Sequence, residues 1–141
     1  MATVELRFSA LPAHVRTARL VAAAVARRSG VDEAVLDEVR LAVGEACSRA
    51  VHLHRRYCPD RPVMVTLVDD DRVFRVAVTD EAPADDDETS FEDLTATADL
   101  EAETVPPGVE LAVISGLVDD VAVEPGQLRG VVVRMTWPTS A

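Results

Sequence analysis

No apolar run in the 141-residue chain reaches the roughly 18 residues that a membrane-crossing helix needs. The opening MATVELRFSA lacks a basic segment followed by an apolar stretch, so no secretory leader is expected. Two cysteines, Cys47 and Cys58, are too few for a disulfide framework, and a reducing cytoplasm is the expected compartment. Charge of one sign is missing from two places. Residues 82–107 hold nine acids and no base, while residues 12–31 hold four arginines and no acid. The net charge of −11 opposes direct binding to a phosphate backbone and suits a basic partner.

What is present is enough for one domain over residues 1–141, with 48% hydrophobic residues to build a core. TVELRFSA alternates, and the pattern predicts a strand with Val4, Leu6 and Phe8 on one face. Pro12 suits the first turn of a helix over 12–29, with Val15, Ala18, Ala22 and Val25 at helical spacing and Gly30 as its stop. Asp32 is placed to cap a second helix running to about His54, striped by Val35, Val39, Ala42, Ala46, Ala50 and Leu53. PVMVTLVDDDRVFRVAVTD reads as a hairpin turning at Asp69–Asp71. Residues 82–107, with three prolines and no sustained period, read as an acidic flexible lid. GVELAVISGLVDDV reads as a helix, and two strands follow around a turn at Gly126–Gly130.

This order predicts an α+β fold. We expect a two-layer sandwich, its mixed and mostly antiparallel sheet covered on one face by about three helices. The other face is left for a partner or a second copy.

Several constellations are weak. Cys47, His54 and Cys58 have helical spacing but no fourth ligand, so a buried Cys47 with His54 and Cys58 exposed is the expectation. His52 and His54 do not share a helix face. Ser48 beside Glu45 lacks an oriented base. Asp69–Asp71 reads as a solvated turn rather than a cation site. Trp137 reads as a core or edge-strand residue.

An opening segment and four motifs then fall in order. FSAL at 8–11 opens the domain, RLAVGEACSRAV spans 40–51, VTDEAPA and GVELAVISGLVDDV follow, and GVVVRMTW closes it. Together they resemble the RsbW and SpoIIAB anti-sigma factors, serine protein kinases of the GHKL (Bergerat-fold) ATPase superfamily. The resemblance implies an N box, Glu-x-x-x-Asn, in which the glutamate is general base and the asparagine binds magnesium. Here the glutamate is Glu45 but the asparagine position is Arg49. A guanidinium has no acceptor for a hard cation and would repel it. Glu45 and Arg49, four apart, are expected to form an ion pair worth roughly 0.2–0.5 kcal/mol, which would leave Glu45 a poor base.

The first glycine box, Asp-x-Gly-x-Gly, appears as Asp80-Glu81-Ala82-Pro83-Ala84. The resemblance assigns Asp80 to the adenine amino group, while Ala82 and Ala84 depart from the glycines. In the second box Gly108 survives, and Glu110 places a negative side chain where phosphates would sit. A threonine expected on the adenine side of the last strand appears as Val132. No cofactor is therefore expected, and ATP with magnesium belongs only to the alternative of a working kinase.

The resemblance further implies capture of a sigma factor and release by a STAS-type anti-anti-sigma factor. Arg19, with Arg16 beside it, would lie on the partner-contact surface. We expect nucleotide handling to be lost. The alternatives are an active ATP-dependent serine kinase with Glu45 as its base, and a non-catalytic modulator that pairs with an active paralogue. A homodimer or paralogue heterodimer fits the open sheet face; neither nucleic acid nor membrane is an expected partner.

Overall fold

The structure is a computed structural model that describes residues 2–83, 107–118, 120–127 and 129–139. The elements are β1 (Ala2–Phe8), α1 (Ala13–Ser29), a 3-10 turn (Glu33–Val35), α2 (Leu36–Tyr57), β2 (Val63–Asp70), β3 (Val73–Thr79), α3 (Pro107–Leu117), β4 (Asp120–Pro125) and β5 (Val131–Pro138). The five strands form one sheet in the order β1-β2-β3-β5-β4. All four pairings are antiparallel, so the expected mixed sheet is corrected to a purely antiparallel one among the described residues.

Alternation fixes which face is buried. Val63, Val65 and Leu67 of β2, Phe74, Val76 and Val78 of β3, and Val133, Met135 and Trp137 of β5 point to the same side and are buried. The helices pack there: α1 and α2 lie against each other and on the sheet, and α3 packs on α2. Trp137 belongs to this core, and its indole N–H donates to Glu38 at 3.2 Å.

Local chemistry explains the boundaries. Gly30 adopts φ 99, and the Val31 N–H reaches back to the Ala26 carbonyl, the left-handed close that ends α1. Asp32 does cap, but it caps the 3-10 turn: its carboxylate accepts from the Ala34 N–H at 2.9 Å. α2 then starts at Leu36 and runs past His54 to Tyr57. The β2–β3 turn closes on Asp71 and Arg72, with Asp71 at φ 51. The helix expected over GVELAVISGLVDDV ends at Leu117. Asp120 and Val121 are strand instead, because Val121 pairs with Met135 across the sheet. Of the acidic stretch, residues 84–106 lie outside the described residues.

Candidate functional site

Arg49 sits in the middle of α2 and turns inward, with its side chain only 10% exposed. The partner it reaches is Asp80, one residue past β3 and 2% exposed, with Nη1 to Oδ2 at 3.0 Å. The other carboxylate oxygen of Asp80 accepts the Ala82 N–H at 3.0 Å. Both oxygens of the carboxylate are thus engaged by the chain itself. Arg49 Nε is buried and has no hydrogen-bond partner among the described residues.

The backbone of Asp80 is held as firmly as its side chain. Its N–H donates to the Val131 carbonyl at 3.0 Å, which extends the β3–β5 ladder by one rung. Gly130, at φ 81, lies so close that a Cβ there would be 1.9 Å from the Asp80 carbonyl oxygen. Only glycine permits that approach.

A second buried polar group braces the same corner. His54 is fully buried near the end of α2. Its Nε2 accepts the Glu81 N–H at 2.9 Å, so its Nδ1 carries the proton donated to the Arg61 carbonyl at 2.8 Å. An exposed Arg61–Glu81 pair at 2.8 Å closes over it. One ring therefore ties α2 to the start of β2 and to the segment that follows β3. The expectation of an exposed His54 is corrected: two backbone groups left unpaired by the loop and the strand end need a partner there.

The expected Glu45–Arg49 ion pair is also corrected. Glu45 is half-buried and makes no hydrogen bond or ion pair among the described residues. Four residues turn a helix slightly more than once, and that offset carries Arg49 inward while Glu45 stays at the rim. A desolvated carboxylate attracts a guanidinium far more strongly than one that faces water.

Of the other residues singled out by motif, Ala82 is buried beside Asp80. Ala84 lies outside the described residues. Gly108 and Glu110 fall in the opening turn of α3, and the Glu110 side chain lies outside the described part. Val132 is corrected in place: it faces the open side of the sheet with Met64 and Thr79, in a shallow groove of about 890 Å³. The inward position is Val131.

The α1 surface is a separate region. Arg16 is exposed and Arg19 half-buried, and neither forms an ion pair among the described residues. Arg27 does, with Glu33 at 2.9 Å. The Arg19 side chain lies across α2 at Gly44, where a Cβ would come 2.6 Å from Arg19 Cδ. Nearby, burial pushes the Cys47 thiol up to about 12, with the Arg19 charge pulling the other way. Sequence reasoning missed the roles of His54 and Gly44. A polar residue within an apolar stripe was the available signal for the first, and a glycine inside a helix for the second.

A family model described as the histidine kinase-like ATPase domain matches residues 8–137. No curated protein matches the chain. Among solved structures, the RsbU and RsbW domains of Rv1364c from Mycobacterium tuberculosis superpose with a TM-score of 0.65 at 16% identity. That match covers 96% of this chain and 31% of the other, so the chain spans about a third of that protein's length.

Proposed function

The chain belongs to the histidine kinase-like ATPase domain family, and from that premise we propose that it is a partner-switching regulator that binds proteins rather than turning over nucleotide. It captures a sigma factor, which a STAS-type antagonist releases from it, within the cytoplasm. The single observation that carries the loss of nucleotide handling is the Arg49–Asp80 pair. The carboxylate that would receive the adenine amino group is already occupied, and the guanidinium that occupies it comes from the position where a magnesium ligand would stand. Both departures work against ATP and magnesium: the Asp80 carboxylate is consumed, and a fixed positive charge replaces an oxygen donor. The surface left to work is α1, where Arg16 and Arg19 are available to a partner's carboxylates.

Calorimetry tests this. The expected result is no binding of ATP tighter than about 1 mM with magnesium present. The natural chain should bind at least one sigma factor or STAS protein from its own genome when these are purified and assayed singly. A magnesium-dependent dissociation constant in the low micromolar range overturns the first part. Failure to bind any of them overturns the second.

One observation favours the kinase alternative. Glu45, the base of that reading, is not held by Arg49 and stays half-exposed. Transfer of labelled phosphate from ATP to a STAS protein, lost in Glu45→Ala, would establish it.

A further inference from the structure

Glycine in a helix interior weakens the helix relative to alanine, because it loses more backbone freedom on folding. Gly44 lies in the middle of α2, is buried, and has an ordinary helical backbone. No turn or left-handed torsion requires it. What requires it is Arg19. A Cβ at Gly44 would meet Arg19 Cδ at 2.6 Å, Cγ at 3.2 Å and Nε at 3.4 Å. These are side-chain atoms toward the free end of a flexible residue, so an added methyl displaces the arginine rather than the helices. Arg19 therefore crosses from α1 onto α2 only because position 44 has no side chain.

The surroundings fit a contact surface. Leu20 follows Arg19 and is 58% exposed; Leu41, one turn before Gly44, is 51% exposed. Arg16 is exposed one turn before Arg19 and Leu20. Two cationic groups of α1, a helix with no acid of its own and with no carboxylate partner for either among the described residues, thus accompany one exposed leucine on α1 and one on α2. That chemistry complements a protein segment carrying carboxylates beside an apolar residue.

We infer that Gly44 is a positioning residue: it seats the Arg19 side chain across the α1–α2 seam and aims its guanidinium at an acidic, partly apolar segment of a protein partner. The inference rests on the reading of α1 as the partner-binding surface. The seat fixes most of the stem of Arg19 before contact, so fewer rotamers are lost on binding.

Gly44→Ala tests it, with Arg19→Ala as reference. Three readouts serve: the Arg19 Nε–Hε resonance of the unbound protein, its melting temperature, and affinity for each purified sigma factor and STAS protein of the same genome. Gly44→Ala is expected to shift the Arg19 resonance and to melt at or above the natural temperature, because alanine favours the helix. It should weaken binding about tenfold, in the direction of Arg19→Ala, and the double variant should bind no more weakly than Arg19→Ala alone. An unchanged Arg19 resonance, or natural affinity in Gly44→Ala where Arg19→Ala binds weakly, overturns the seat. So does a melting temperature lowered by several degrees, which would make Gly44 a packing residue only. If Arg19→Ala itself binds every protein as the natural chain does, the partner-surface reading fails instead, and the resonance still decides whether Gly44 places Arg19.

Discussion

Arg49 and Arg19 both lie against α2, and they differ in what they meet. Arg49 meets a carboxylate that the sheet has fixed from two sides, through the Asp80 N–H and the glycine at position 130. Arg19 meets a glycine and no carboxylate among the described residues. The first charge is consumed inside the fold. The second keeps its electrostatic capacity for another molecule. One residue type is thus a brace in one place and, on the reading proposed above, a contact group in the other, and burial of a matched partner decides which.

The contrast breaks most visibly at the brace. Asp80→Ala strands a buried guanidinium, and Arg49→Ala strands a buried carboxylate; each should cost about 3–5 kcal/mol in urea unfolding. The double variant should cost clearly less than the sum, since the two act as a unit. Additive losses would show that the pair is not coupled. At the contact group the sign of the experiment reverses. Arg19→Glu should leave the melting temperature nearly unchanged while weakening partner capture by about 2–5 kcal/mol, and capture by the natural chain should weaken as salt rises. A large loss of stability in Arg19→Glu would mean that this arginine, too, is spent within the fold.

Smaller effects sharpen the picture. His54→Ala leaves the Arg61 carbonyl and the Glu81 N–H without their partner, and should cost about 1–3 kcal/mol by urea unfolding. Glu45→Ala, which removes no described interaction, should stay within about 0.5 kcal/mol of the natural chain. The thiols report whether the α1–α2 seam stays shut. With Cys47 pushed up to about 12 by burial, it is protonated and enclosed at pH 8. Burial also raises the Cys58 thiol, against the pull of Arg129, but that side chain is partly exposed. Maleimide at pH 8 should therefore label Cys58 slowly and Cys47 only after unfolding, as read by mass spectrometry. Prompt labelling of Cys47 in the native protein would mean the seam opens.

The sequence carried the layers well and the site only in part. Alternation at Val4, Leu6 and Phe8 and the stop at Gly30 are local signals, and each marks an element that the structure contains. The end of α3 was less legible. Val121 and Val123 suit a strand once Met135 and Val133 lie beside them, and that neighbour is not encoded locally. The partner of Arg49 was beyond local reading for the same reason. Glu45 is four residues away in sequence, whereas Asp80 is 31 away and is delivered by the β2–β3 hairpin. Spacing rules favoured the near carboxylate, and desolvation favours the far one. His54 was misplaced because nothing in its helix announces the two backbone groups that it satisfies.

The Arg49–Asp80 pair also shapes the paths that substitutions can take. A single change of Arg49 to an asparagine of the N-box kind supplies an oxygen donor, but it leaves Asp80 ionised and buried without its cation. A single change of Asp80 leaves the guanidinium in the same position. Each step toward a nucleotide site crosses a chain less stable by about as much as many domains have to spare. The two positions are coupled, so an asparagine at position 49 requires Asp80 to be resolved with it, or stability gained elsewhere first.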